Sequence, residues 1–144
     1  MKKYPVPDEN EILDLSVISE KSGYDIIQIV REGIPYYAFE KFATASPFTM
    51  ADWSGFLELS ERSLHRYKKD KKSFDRMRSE RIIEIARVLK KGIEVFGDEE
   101  KFTTWMNLRI IALGGIKPRE LLESSIGIKL LDDELTRIDY GMFG

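Results

Sequence analysis

The pattern of apolar and polar positions predicts helices along most of the chain. Its clearest stretch is residues 73–98, where five apolar residues follow one another in alternating steps of four and three: Ile82, Ala86, Leu89, Ile93 and Phe96. An α-helix repeats every 3.6 residues, so this spacing puts all five on one helix face. Residues 127–131 are only a weak strand candidate. We therefore expect an all-α fold.

Two short helices joined by a tight turn are predicted between residues 49 and 70. Thr49 is a suitable N-cap for the first helix, and Asp52 suits the positive end of its dipole. Ser60 is a suitable N-cap for the second helix, which we expect to run from about Glu61 to Lys69. This is the arrangement of a helix-turn-helix unit, whose second helix enters the major groove of DNA.

Glycine and proline residues mark the ends of the other predicted helices. Gly33 is placed to end the first helix in the left-handed conformation, and Pro35 suits the first turn of the next helix. Gly97 followed by Asp98 indicates the end of the long helix and the N-cap of another. These signals divide the helical pattern into short elements on either side of one long helix.

The pair Gly114-Gly115 admits two interpretations. A phosphate-binding loop would follow a strand and precede a helix, and neither of the common glycine-rich phosphate motifs occurs here. A helix exit with positive φ is the better interpretation, because Pro118 then suits the first turn of the next helix. We expect Gly127 to end that helix.

Charge is distributed unevenly along the chain. The net charge of 144 residues is −2, yet residues 62–91 hold 12 Lys or Arg and four Asp or Glu. Residues 1–61 have a net charge of −6 and residues 92–144 a net charge of −4. A local basic block in an acidic protein favours a polyanionic partner at that block.

The basic block includes the second helix of the helix-turn-helix unit. Side chains near its N-terminus would reach base edges, and lysines further along would contact phosphates. We expect the DNA contacts to come from eight residues: Arg62, Ser63, His65, Arg66, Lys68, Lys69, Lys71 and Lys72. The alternative is a solvated charged face on a helical bundle, which is what most runs of charge are.

The composition argues against several other classes of protein. The chain has no cysteine, which excludes disulfide scaffolds and thiolate metal sites. It has a single histidine, which argues against Ser-His-Asp chemistry. The acids at 132–134 are better explained as a solvated helix start than as a metal site. We find no paired acid and base, no apolar run of 18 residues and no signal peptide. We expect a cytoplasmic protein that is not an enzyme and binds no cofactor or metal.

The last residues of the sequence are unusually apolar. Tyr140, Met142 and Phe143 lie within the final five positions, where polar residues are more common. Such side chains either pack on their own domain or enter a pocket of a partner.

The order of several motifs resembles the Xre/MbcA/ParS antitoxins. "LSERSLHRYKK" at 59–69 is similar to the recognition segment of that family, and "RIIEIARVLKKGIEVFGD" at 81–98 to its linking helix. "FTTWM", "LGGIKPRELLESSIG" and "LTRIDYG" resemble the toxin-binding domain. The matching motif positions, most of which we expect to shape the domain, are Trp105, Leu113, Gly114, Gly115, Pro118, Leu121, Leu122, Gly127 and Ile138.

The resemblance implies a type II antitoxin that neutralises a RES-domain toxin, which degrades or uses NAD, and represses its own operon. It implies an N-terminal arm over 1–23, a helical DNA-binding and dimerisation domain over 24–97, and a helical toxin-binding domain over 98–144. The toxin contact would fall on the tail, Tyr140, Gly141, Met142, Phe143 and Gly144, which would cover the active site of the toxin. The implied partners are the toxin, operator DNA and a second copy of the chain. A solitary helix-turn-helix regulator and a nucleotide-binding enzyme are the alternatives.

Overall fold

The computed structural model describes residues 21–141, which fold into helices joined by short turns. The α-helices of this range are α1 (Gly23–Glu32), α2 (Tyr36–Ala45), α3 (Met50–Leu57), α4 (Glu61–Lys69), α5 (Arg76–Phe96), α6 (Glu99–Met106) and α7 (Ser125–Gly141). Two short 3-10 helices, Ile111–Leu113 and Pro118–Glu123, lie between α6 and α7. Within these residues, extended pairing is limited to two isolated bridges. The all-α prediction is confirmed.

The long helix α5 is the element on which the others pack. Helices α1, α3, α6 and α7 all lie against it. Ile82, Ala86 and Leu89 of the predicted face are buried, and Ile93 and Phe96 are half-buried against the same core. Because the apolar face serves both the N-terminal and the C-terminal helices, one hydrophobic core extends through the described residues.

Aromatic side chains fill the N-terminal part of this core. Trp53 of α3 is fully buried, and Phe39 and Phe56 meet its ring edge to face at centroid distances of 5.2 and 5.5 Å. The indole N–H donates to the Ser46 hydroxyl at 3.1 Å, so its polar atom is satisfied. Trp53 lies at helical spacing from Met50, Phe56 and Leu57, which predicts a core position, and its burial confirms that prediction.

Helix α7 runs alongside α5 in the same direction. The Ser125 hydroxyl donates to Glu84 at 3.0 Å near the start of α7, and Lys91, further along α5, donates to Asp132 at 2.9 Å. Ile128, Leu131 and Leu135 are buried at helical spacing on the inner face of α7. The strand interpretation of residues 127–131 is wrong, because these residues lie within α7.

Gly127 does not end a helix, contrary to the sequence prediction. The helix that begins at Pro118 is a six-residue 3-10 helix ending at Glu123, and Gly127 lies in the first turn of α7. A Cβ at Gly127 would stand 2.2 Å from the backbone oxygen of Leu121. Glycine is therefore needed here for close approach of two backbones, and not for a positive φ.

The other residues that the sequence marks as helix ends agree with the structure, with small differences. Gly97 ends α5 in the left-handed conformation and Asp98 caps α6. Gly33 has a positive φ of 85°, but its ψ of 137° is extended and not left-handed. Pro35 is the residue immediately before α2. No helix among residues 21–141 is both long and apolar enough to cross a membrane.

Candidate nucleic-acid and partner-binding surfaces

Helices α3 and α4 form the helix-turn-helix unit that the sequence predicts. Thr49 and Asp52 cap α3 reciprocally, since each side chain accepts the backbone N–H of the other, at 2.9 and 3.1 Å. The Ser60 hydroxyl caps α4 by accepting the N–H of Ser63 at 3.0 Å. Helix α4 runs from Glu61 to Lys69 as expected.

The turn between α3 and α4 depends on a residue that the sequence did not single out. Glu58 has φ 54° and ψ 42°, a left-handed conformation that glycine adopts most easily. Arg78 of α5 donates from Nε to the Leu57 carbonyl at 2.9 Å and from Nη2 to the Glu58 carbonyl at 3.2 Å. Arg81 donates from Nη1 to the Phe56 carbonyl at 2.9 Å. These two arginines of the basic block therefore cap α3.

The inner side of α4 is held by a few apolar contacts. Leu64 is buried, and the half-buried Tyr67 ring stacks on Phe74 at a centroid distance of 5.0 Å. The Lys72 ammonium lies 5.8 Å above the same Tyr67 ring. The basic side chains of the helix are left on its outer side.

The residues predicted to contact DNA lie together on that outer side and on the turn that follows. Of the eight, only Ser63 is half-buried, and the exposed ones are Arg62, His65, Arg66, Lys68, Lys69, Lys71 and Lys72. Ser63 completes the N-cap, because its hydroxyl accepts from Ser60 at 2.9 Å. Lys68 pairs with Glu40 of α2 at 3.1 Å, which offsets part of its charge. The role of these residues in DNA binding stays a prediction.

The backbone N–H groups of the Gly114-Gly115 loop form hydrogen bonds within the loop. Both glycines have positive φ, 80° and 81°. The N–H of Gly114 donates to the Ile111 carbonyl at 3.0 Å, and that of Gly115 to the Ile110 carbonyl at 2.9 Å. Because both N–H groups are used inside the loop, neither is free to bind a phosphate, and the punctuation interpretation is confirmed.

Most of the other motif positions shape the C-terminal part of the fold. Pro118, Leu121, Leu122 and Gly127 are buried, and the half-buried ones are Trp105, Leu113 and Ile138. The rings of Trp105 and Phe102 stack at a centroid distance of 6.2 Å. Pro118, Leu121 and Leu122 belong to the second 3-10 helix, against which α7 packs, whereas Gly127 and Ile138 belong to α7 itself.

The outward surface of α7 is a stripe that combines three apolar residues with one acidic and one basic residue, and we call it the outer face. Its residues follow helical steps of four and three: Ile126, Leu130, Asp133, Arg137 and Tyr140. Ile126 is 78% exposed, Leu130 51% and Tyr140 76%. Of the predicted tail contacts, Tyr140 and the exposed Gly141 belong to α7, whereas Met142, Phe143 and Gly144 lie outside the described residues.

The acids at 132–134 belong to three separate ion pairs. Asp132 pairs with Lys91 at 2.9 Å, Asp133 with Lys129 at 3.0 Å and Glu134 with Arg137 at 2.5 Å. They lie inside α7 and not at its start. Among residues 21–141 no group of acidic or histidine side chains is arranged to hold a metal ion.

Besides the shared hydrophobic core, two arginines connect the helix-turn-helix unit to the second 3-10 helix, and we call this contact the joint. The Arg119 guanidinium pairs with Asp52, and its carbon lies 5.5 Å above the Phe48 ring. Arg81 Nη1, besides its bond to Phe56, donates to the Glu123 carbonyl at 2.8 Å. Nothing in the sequence spacing signals these contacts, because they join residues more than 40 positions apart.

Comparison with known proteins follows the same division of the chain. Residues 25–87 match the Antitoxin Xre-like helix-turn-helix domain, and residues 91–141 match the Antitoxin Xre/MbcA/ParS C-terminal toxin-binding domain. A curated protein named Antitoxin Xre from Photorhabdus laumondii is 29% identical over 122 residues, covering 84% of this chain and 82% of its own length. Another Antitoxin Xre, from Yersinia enterocolitica, is 35% identical over 86 residues, or 59% of this chain and 58% of its own. The two family matches span most of the sequence in the expected order, and the chain belongs to the Xre/MbcA/ParS family of antitoxins.

Proposed function

We propose that this antitoxin neutralises a RES-domain toxin with its C-terminal domain and represses its own operon with α4. One observation carries the proposal: two surfaces of different chemistry face outward from separate elements. The outer side of α4 is basic, and the outer face of α7 is largely apolar. The two helices lie in the two matched domains, so DNA and toxin would contact different parts of the chain.

Helix α4 supplies the DNA-binding surface. Arg62 and Arg66 project from one side of the helix, one turn apart, where a guanidinium can make two hydrogen bonds to the O6 and N7 atoms of guanine. Lys69 and Lys71 are exposed beside them and would neutralise phosphates. A homodimer would present two copies of α4 to half-sites about one DNA turn apart. This function places the protein in the cytoplasm with its operator.

The outer face of α7 and the tail supply the toxin-binding surface. Leu130 and Ile126 would be removed from water under the partner, which favours binding, and Tyr140 is of a residue type that often dominates the binding energy of interfaces. Tyr140 leads from this face into the sequence Met142-Phe143-Gly144, which would cover the active site of the toxin. Blocking that site needs no catalytic group on the antitoxin, and the NAD chemistry belongs to the toxin.

The test is a rescue assay with the product of the neighbouring gene, which we expect to be a RES-domain protein. The full chain is expected to restore growth, and deletion of Tyr140–Gly144 is expected to abolish the rescue. The matched control is the double variant Arg62→Ala with Arg66→Ala, which should still rescue and should lose operator binding. Rescue by the truncated chain would exclude the tail as the inhibitory element. Failure of every form to bind the toxin, with operator binding intact, would favour a solitary transcriptional regulator.

A further inference from the structure

The turn before α4 carries a conformational cost that the sequence does not relieve. Helix α3 ends at Leu57, and Glu58 then adopts the left-handed conformation that a side chain with a Cβ disfavours. The last carbonyls of a helix also have no partners within the helix. Any loss of support at this point would change the angle at which α4 leaves α3.

Arg78 supplies that support with a single guanidinium. Its Nε donates to the Leu57 carbonyl at 2.9 Å, and its Nη2 to the Glu58 carbonyl at 3.2 Å. Its Nη1 bonds Asp75 at 2.5 Å, and Asp75 is also the N-cap of α5. One side chain therefore fastens the end of α3 and the left-handed turn to the start of α5.

The charge of Asp75 is maintained by the same contact. Burial would by itself raise the pKa of Asp75, but hydrogen bonds from the backbone and side chain of Arg78 outweigh burial and hold that pKa below its ordinary value. The Asp75 carboxylate accepts the hydrogen bond from Nη1, so the guanidinium of Arg78 is also held on the side away from the turn.

We propose that Arg78 is a positioning residue for operator recognition: it sets the orientation of α4 by holding the left-handed turn at Glu58, and it does not itself touch DNA. The inference rests on the proposed function, because it assumes that α4 reads the operator. Reading of base edges requires an accurate helix orientation, whereas attraction to phosphates depends mainly on the number of charges. Loss of Arg78 should therefore cost specificity more than general affinity.

A direct phosphate contact is the competing role for Arg78, and the chain offers a control for it. Arg76 lies two residues away on α5 and is exposed, and the hydrogen bonds to the Leu57 and Glu58 carbonyls come from Arg78 and not from Arg76. Arg76→Gln removes the same charge from the same region without disturbing Leu57 or Glu58. A second variant, Arg78→Lys, keeps the charge but replaces the fork with one ammonium that cannot span both carbonyls in the same way.

The test measures the affinity of the full chain for its operator and for a scrambled duplex by fluorescence anisotropy over a series of salt concentrations. Arg78→Gln and Arg78→Lys are each expected to lose roughly 10-fold in operator affinity, comparable to one lost base contact. The scrambled duplex should bind Arg78→Gln about as well as it binds Arg76→Gln, and Arg78→Lys about as well as the wild type, because non-specific binding follows the number of charges. Adding Glu58→Gly to Arg78→Gln should restore most of the operator affinity, because glycine adopts the turn unaided.

Three results would overturn the inference. Equal losses on both duplexes with a shallower salt dependence, and no rescue by Glu58→Gly, would make Arg78 a phosphate contact. Full operator affinity in Arg78→Lys would show that the charge suffices. A wild-type chain with no preference for the operator would overturn the DNA-binding half of the proposed function, and the inference with it. If Arg78→Gln alone does not fold, Arg78→Lys and the double variant provide the same comparison.

Discussion

Asp52 of α3 and Arg119 of the second 3-10 helix form an ion pair between the helix-turn-helix domain and the toxin-binding domain. The same Asp52 carboxylate accepts the N–H of Thr49, so it also starts the first helix of the DNA-binding unit. Arg119 in turn donates to Asn107, the residue that ends α6, at 2.9 Å. One charged group in each domain thus connects the ends of three helical elements.

Low pH should weaken the ion pair between Asp52 and Arg119. Burial by itself raises the pKa of Asp52, but hydrogen bonds from Thr49 and the Arg119 guanidinium outweigh it, so the pKa lies below the ordinary 3.8. The unfolded chain therefore takes up the proton first as pH falls. The stabilisation is complete above the unfolded pKa and is lost as pH falls through the folded one. Thermal melts below pH 4 should show a flatter acid dependence in Asp52→Asn than in the wild type, with Asp139→Asn as the control.

An Asp52→Asn variant whose melting temperature falls with acid as steeply as that of the wild type would show that the ion pair contributes nothing to this dependence. A change of equal size in Asp139→Asn would point to net charge and not to the joint. Either result would show that the ion pair of Asp52 does not stabilise the contact between the domains.

Replacement of the outward arginines of α4 should impair operator recognition. Arg62→Ala and Arg66→Ala are each expected to weaken operator binding by about 1–3 kcal/mol if the arginine reads a base, and to affect a scrambled duplex much less. Lys129→Ala on α7 is the control for loss of a positive charge elsewhere. Unchanged operator affinity in both arginine variants, measured by anisotropy, would exclude α4 from the groove.

The ion pair between Lys68 and Glu40 makes a different prediction for phosphate binding. Lys68→Ala should weaken binding to all DNA sequences and reduce the salt slope by about 1, as loss of one phosphate contact does. Glu40→Gln should do the opposite, because it releases Lys68 and removes a negative charge next to the DNA surface. If Glu40→Gln leaves the affinity for every duplex unchanged, Lys68 does not contact a phosphate.

The position of helix caps and of the buried face of α5 was predictable because both depend on residues close in sequence. Thr49 with Asp52 and Ser60 with Ser63 interact within one turn, so their residue types and spacing are enough. The role of Gly127 was not predictable, because its cause is the backbone of Leu121 in another element.

The same reason explains which parts of the candidate sites were missed. Arg78 and Arg81 belong to the basic block, but their guanidinium groups bind the protein's own backbone. Both cap α3 from α5, across more than 20 positions. The outer face of α7 became visible only when the inner face was known: Leu130 and Leu131 are adjacent apolar residues, and the sequence alone does not say which of them is buried.

A charge introduced on the outer face of α7 should abolish toxin binding without unfolding the chain. Leu130 is half exposed, so Leu130→Glu places a carboxylate at the surface in the free protein and beneath the toxin in the complex. The expected loss of affinity is about 10-fold or more, as for other central interface residues. Leu108→Glu, the same substitution at a leucine of similar exposure outside α7, is the matched control in calorimetric titrations. Equal affinities of Leu130→Glu and the wild type would place the toxin elsewhere.

The central claim is that DNA and toxin occupy different helices, and hydrogen–deuterium exchange of the full chain tests it most directly. Backbone exchange would be compared for the free chain, the chain with operator DNA and the chain with the RES-domain protein. We expect operator DNA to slow exchange in and around α4, residues 58–72, and the toxin to slow exchange in α7, residues 125–141. Protection of α4 by the toxin, with α7 unchanged, would contradict the account.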